Sequence, residues 1–245
     1  MIKPTNQHRV RLMAEHESPL KERAWDEVLR PLFTSDTPGR HVVLDEALTP
    51  AALGQLRSDV LSSWAWHYRS QPGYVLCLAP PESPVLASVA GRLVEVLARH
   101  HPGVEVVEEW AFLHQRPFAE FVHADIGSYV WTLWLTPERW DRSPETSGLS
   151  FFPLARPDGM PNKREHTLKY FEERAVPRHA YVPYRENRAV IFSAATFHSI
   201  GPCDFDSSAT ERMRCSVSLF LDDRNHWDAQ HQLEHSTQES ASHEF

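Results

Sequence analysis

Apolar residues recur at helical spacing in three stretches of the first hundred positions. Residues 17–33 carry Leu20, Trp25, Val28, Leu29 and Leu32 behind Ser18-Pro19, and this predicts a packing helix. Residues 51–64 follow Thr49-Pro50, a threonine N-cap with proline in the first turn. Residues 85–100 repeat Leu86, Val89, Leu93, Val96 and Leu97 after a turn at Pro80-Pro81-Glu82-Ser83-Pro84. Between them lie two extended stretches: residues 41–45, a short strand, and the alternating aromatics Trp64, Trp66 and Tyr68. Residues 1–16 are polar and predict a loose arm.

The period changes near residue 104. Residues 104–115, 129–135, 149–152, 189–192 and 215–221 are short runs rich in β-branched and aromatic residues, separated by turn residues. They predict an antiparallel barrel or sandwich that the helices of 17–103 support, the whole forming a single domain over 1–245. A long insertion at 153–183 bears Lys163, Arg164, Lys169, Arg174 and Arg178, interleaved with Glu165, Glu172 and Glu173. It reads equally as a lid over a site or as a solvated surface helix. Residues 223–245 are polar with few large apolar side chains, and predict a frayed tail.

Composition narrows the function. With 41% apolar and 24% charged residues the chain has enough material for a sizeable core. A net charge of −8 argues against a nucleic-acid or anionic-membrane partner, which needs a cationic footprint. Cys77, Cys203 and Cys215 lack metal-ligand spacing, and an odd count suits a reducing compartment, so a cytoplasmic location is expected. No apolar run reaches membrane-spanning length.

One triplet carries chemistry. In His123-Ala124-Asp125 the i, i+2 spacing on an extended backbone points an imidazole and a carboxylate to the same side. His198, in Phe197-His198-Ser199, supplies a second imidazole from a distant segment. Two histidines and one carboxylate on one side of an ion, with other positions open, are the ligand set of non-haem iron(II) oxygenases. A second triplet, His226-Trp227-Asp228, sits in the polar tail without a strand pattern and reads as coincidence.

Six pieces then occur in a fixed order: His123-Ala124-Asp125, Trp134-Leu135-Thr136-Pro137, 147–152 (SGLSFF), 187–192 (NRAVIF), 197–202 (FHSIGP) and Arg214-Cys215-Ser216. Together they resemble the iron(II)- and 2-oxoglutarate-dependent dioxygenases, in particular the prolyl-hydroxylase-like branch, over residues 104–222 and in outline over 40–103. The resemblance implies an α+β fold with a mainly β core, a double-stranded β-helix (jelly-roll, cupin-like) carrying N-terminal packing helices and a helical insertion.

It also implies roles. His123, Asp125 and His198 match the Fe(II) ligands, and Arg214 with Ser216 matches the pair that holds the far carboxylate of 2-oxoglutarate. A guanidinium suits a carboxylate, and a serine two residues along a strand shares its face. The interval from His198 to the arginine is longer than in many members, with residues 203–211 as the lengthened loop, so Arg212 stays a competing choice. Thr132 and Trp134 share one face of their strand and would line the cosubstrate pocket, with Tyr129 and Trp131 on the other. His114 is expected to be structural, with a pocket residue as the alternative. The implied reaction consumes O2 and 2-oxoglutarate and hydroxylates an unactivated carbon of a free amino acid or small natural product. A carboxylate at 125 favours this over halogenation, in which a small residue frees a position for halide. The alternative is a cupin-type metal protein that does not use 2-oxoglutarate.

Overall fold

The computed structural model describes residues 18–34, 38–63, 66–69, 75–78, 82–162 and 164–241. The polar arm, Trp64, Pro80-Pro81 and Lys163 lie outside the described residues.

Ten strands form two antiparallel sheets. They are β1 (His41–Leu44), β2 (His67–Arg69), β3 (Val75–Leu78), β4 (Val104–His114), β5 (Tyr129–Trp134), β6 (Leu149–Ala155), β7 (Ala180–Val182), β8 (Ala189–Ser193), β9 (Thr196–Ile200) and β10 (Arg214–Asp223). The large sheet has seven strands in the order β1-β8-β5-β10-β4-β3-β2, and the small sheet three in the order β7-β6-β9. The run β1-β8-β5-β10-β4 and the pair β6-β9 join strands distant in sequence, as a jelly-roll requires. The fold is α+β and mainly β, a double-stranded β-helix.

Strand alternation sorts the large sheet into two faces. Leu113, Trp131, Leu133, Cys215, Val217, Leu219 and Ile191 point one way and are at most 1% exposed. They pack into one apolar cluster with three helices: α1 (Trp25–Phe33), α2 (Pro50–Ser62) and α3 (Pro84–Leu97). The cap expected for α2 is present, and α3 has one as well. Thr49 Oγ1 accepts from Ala52 N at 3.3 Å, and Ser83 Oγ accepts from Leu86 N at 3.4 Å. The opposite face of the sheet, carrying Phe112, Thr132, Trp134, Ser216 and Phe220, looks across a cavity toward the small sheet.

Two expectations need correction. The first helix starts at Trp25 rather than residue 17. Leu20 instead bridges Leu48, with Lys21 N donating to Ala47 O and Thr49 N to Pro19 O, so the backbone groups of this segment are satisfied by pairing. The tail is not frayed after Asp223: α5 spans Arg224–Ala241. Asp223 Oδ1 accepts from Asn225 N at 2.9 Å at its start, and Trp227 is buried, so a capped turn and one aromatic anchor hold a helix that is otherwise polar. The insertion forms α4 (Arg164–Glu172), whose Tyr170 stacks on Phe197 while Phe171 packs against it at a tilt. Phe197 alternates with His198 on β9, so α4 covers the outer side of the small sheet. Among the described residues none of 153–183 lines the cavity, which favours the surface-helix alternative over the lid.

Candidate metal centre and anion pocket

Backbone pairing builds the metal-ligand cluster. His123 and His198 form an antiparallel bridge, His123 N to His198 O at 2.9 Å and His198 N to His123 O at 2.8 Å. Asp125 N donates to Ala194 O at 2.8 Å, in the turn that leads into β9. Each ring is then oriented by its own backbone: His123 Nδ1–H donates to Phe121 O, and His198 Nδ1–H to Thr196 O, both at 2.9 Å. This leaves both Nε2 lone pairs facing Asp125, the arrangement in which histidine ligates metals. His123 Nε2 is 3.7 Å from Asp125 Oδ1, and His198 Nε2 is 3.5 Å from Asp125 Oδ2. The three donor atoms lie within 4.8 Å of one another.

Electrostatics favour a cation there. Burial pushes the His198 imidazole down to about 3, and the neighbouring His123 adds to the effect. Burial also opposes charge on His123, but the Glu120 and Asp125 carboxylates outweigh it and raise that ring. Burial raises Asp125 against the pull of His123 and Arg156. Two nitrogen lone pairs and a carboxylate in a desolvated cluster are a donor set that suits a divalent transition metal.

The same cavity, about 130 Å³, holds the other expected residues. Arg214, Ser216, Thr132 and Trp134 all line it, and Trp131 lies on the other face, as strand alternation predicts. Ser218 continues the series on β10 and donates to Thr132 Oγ1 at 3.1 Å. Arg212, in contrast, sits in a short 3₁₀ turn outside the cavity, paired with Asp206 at 3.2 Å and lying over the Trp140 ring.

Arg214 is 1% exposed, and among the described residues no carboxylate lies within ion-pair distance of it. Its Nη1 meets His114 Nε2 at 3.1 Å, and its Nε has no partner. His114 lines the cavity beside it, the pocket alternative to the structural role expected for it. Burial and the Arg214 charge hold His114 well below its usual range, so it stays neutral and accepts from the guanidinium. A buried cation without a counter-ion costs several kcal/mol, which an anionic ligand in the cavity would offset.

The pattern of the sequence did not single out several lining residues. Phe118, Glu120, Phe192 and Ile200 enter the cavity from loops and strand ends. Ser218 and Phe220 had a readable signal in the alternation Arg214-x-Ser216-x-Ser218-x-Phe220, as did Val130 ahead of Thr132. His226-Trp227-Asp228 lies on α5, where His226 Nδ1 donates to Asp222 and Trp227 is buried; it forms no metal cluster among the described residues.

No family model and no curated protein matches the sequence. Solved structures do. The epimerase SnoN in complex with Fe3+, alpha ketoglutarate and nogalamycin RO superposes with a TM-score of 0.58 at 16% identity, covering 81% of this chain and 84% of that one. A Pseudomonas putida prolyl-4-hydroxylase gives 0.58 at 15%, covering 82% and 100%. HygX from Streptomyces hygroscopicus, with nickel, 2-oxoglutarate and hygromycin B bound, gives 0.54 at 14%, covering 80% and 86%. The fold is theirs. At these identities the likeness is one of architecture, and function has to be argued from the site.

Proposed function

We propose that this chain is an Fe(II)- and 2-oxoglutarate-dependent oxygenase that hydroxylates an unactivated carbon of a small molecule, an amino acid derivative or natural product. The observation that carries the reading is the pairing, in one cavity, of His123, Asp125 and His198 with the buried Arg214, which has no acidic partner among the described residues. One group asks for a divalent cation and the other for an anion. A metal-chelating dicarboxylate satisfies both.

In this reading His123, Asp125 and His198 hold the iron, and Arg214 with Ser216 holds the distal carboxylate of 2-oxoglutarate. Thr132 and Trp134 flank it. When bound, iron and 2-oxoglutarate supply the oxidising power: O2 and the keto acid give succinate and CO2 while a C–H bond becomes C–OH. The protein side chains orient and exclude. The backbone-tied rings fix the ligand directions, neutral His114 sets the guanidinium by accepting from it, and Phe118, Phe192 and Trp134 keep water from the reacting groups. Ligands of two structural neighbours, nogalamycin RO and hygromycin B, support a small-molecule substrate. A single domain in the cytoplasm is part of the same reading.

The test is anaerobic titration of the Fe(II)-loaded protein with 2-oxoglutarate, following the weak visible charge-transfer band of the chelate. The band should form in wild type and need more 2-oxoglutarate in Arg214→Ala. Confirmed iron binding with no band would overturn the reading in favour of a metal protein that does not use the cosubstrate.

A further inference from the structure

Asp125 sits in a loop that the C-terminal helix braces. The loop backbone is held on one side by β-type contacts, Asp125 N to Ala194 O and Ala194 N to Ser128 O at 3.1 Å. On the other side a chain of side-chain hydrogen bonds runs from α5 to the carbonyl of Asp125. Asp222 is fully buried, and its carboxylate accepts from Ser128 Oγ at 2.6 Å and from His226 Nδ1 at 2.8 Å. With Nδ1 as donor, His226 Nε2 is an acceptor, and Gln230 Nε2 donates to it at 2.8 Å. That contact orients the Gln230 amide, so Oε1 faces the loop. Oε1 accepts from Arg156 Nη2 at 3.2 Å and, at a long 3.5 Å, from Gly127 N. Arg156 Nη2 also donates to Asp125 O at 3.2 Å, and Arg156 N donates to Ala195 O at 2.7 Å, beside the turn that leads to His198.

Donors and acceptors therefore alternate consistently from Asp222 to Asp125. Asp222 and Arg156 are buried, Ser128 and Gln230 are half-buried, and His226 is the one exposed link. Arg156 is 8% exposed and joins three backbone or amide acceptors: Met160 O, Asp125 O and Gln230 Oε1. The chain reaches both the carboxylate loop and the turn before the second histidine.

We propose that Gln230 on α5 is a positioning residue for the metal ligands, fixing through Arg156 and Gly127 the backbone that carries Asp125. The proposal rests on the metal-site reading above. It makes the C-terminal helix part of the site's machinery, although none of its described residues lines the cavity. Partners that orient ligands typically account for 10- to 100-fold in metal affinity.

The test is Co(II) titration of the metal-free full-length protein, followed by cobalt absorbance, with the melting temperature of each variant measured alongside. Gln230→Leu removes both contacts. Gln230→Asn keeps the amide but is one methylene too short to reach Arg156 and His226 together, so it guards against misfolding of the first variant. Both should bind Co(II) about 10- to 100-fold more weakly than wild type. Gln230→Glu retains an acceptor toward Arg156 and Gly127 and should restore affinity to within a few-fold, and Gln232→Leu, exposed on the same helix, should change nothing. Folded Gln230→Leu and Gln230→Asn with wild-type Co(II) affinity, or a loss of melting temperature alone, would overturn the proposal. Failure of wild type itself to bind Co(II) would overturn the metal-site reading instead.

Discussion

Arg214 Nη1 lies 3.1 Å from His114 Nε2, and the two residues face each other directly across the β10–β4 pair. Their side chains are 1% and 6% exposed, so the contact sits in the interior with the guanidinium turned into the cavity. A neutral imidazole accepts from Arg214 without cancelling its charge, which stays available to an anion.

Truncating that guanidinium should weaken the anion site selectively. Arg214→Ala is expected to cost about 1.5–3 kcal/mol in 2-oxoglutarate binding, the range for a charge-assisted hydrogen bond. Calorimetric titration of the metal-loaded protein measures it. Arg212→Ala should bind like wild type, because Arg212 is engaged with Asp206 outside the cavity. Equal losses in the two variants would remove the special role of Arg214.

Acid should destabilise the metal-free protein from about pH 6.5 downward. Burial and the Arg214 charge lower the folded His114 well below 6.5, and burial also lowers His41 and His198, whereas the Glu120 and Asp125 carboxylates outweigh burial and raise His123, the one opposing contribution among these four. The unfolded chain takes up protons there that the folded chain refuses. Their stabilisation is therefore fully present above 6.5 and is lost as pH falls through 6.5 toward the folded values. Each such histidine adds a slope of up to about 1.4 kcal/mol per pH unit. Urea unfolding at pH 7.5, 6.0 and 5.0 reads it out, and His114→Gln should flatten the curve. A pH-independent midpoint would contradict the burial argument.

Removing a ligand should abolish metal binding and leave the fold. Asp125→Ala deletes a carboxylate that burial penalises and that accepts no hydrogen bond among the described residues. The metal-free variant should be as stable as wild type, or about 1 kcal/mol more so. Melting temperatures with and without Co(II) separate the effects: the stabilisation by metal seen in wild type should vanish. A variant that still gains stability from Co(II) would exclude Asp125 as a ligand.

Two glycines of the recurring motifs have a packing reason. At Gly148 an added Cβ would fall inside the van der Waals radius of Val182 O and lie 2.9 Å from Tyr184 N; at Gly201 it would collide with Thr146 O. Backbone cannot yield as a flexible side chain does. Gly148→Ala and Gly201→Ala should each lose about 2–3 kcal/mol, measured by urea unfolding. Near wild-type stability in both would show that the sheet edge adapts.

Much was legible in the chain itself, because the signals are local. Period-2 alternation placed Thr132 and Trp134 opposite Trp131, and Arg214 in line with Ser216, since side chains of a strand alternate whatever the strand packs on. Thr49-Pro50 marked a helix start because a cap needs only its own turn. The i, i+2 spacing joined His123 to Asp125. Tertiary structure decided what depends on distant partners. Leu20 lies in the stretch grouped with the first helix yet bridges Leu48, because that pairing satisfies the backbone of Pro19 and Lys21 beside it. Arg212 and Arg214 share a parity in sequence, and only the start of β10 at Arg214 sends one into the cavity and leaves the other in a surface turn. The tail carries too few apolar residues to predict a packed helix, and it is Trp227 and the Asp222–His226–Gln230 chain, meeting a loop a hundred residues away in sequence, that hold it. Periodicity reports which way a side chain points; which partner it meets is set by how the sheets close.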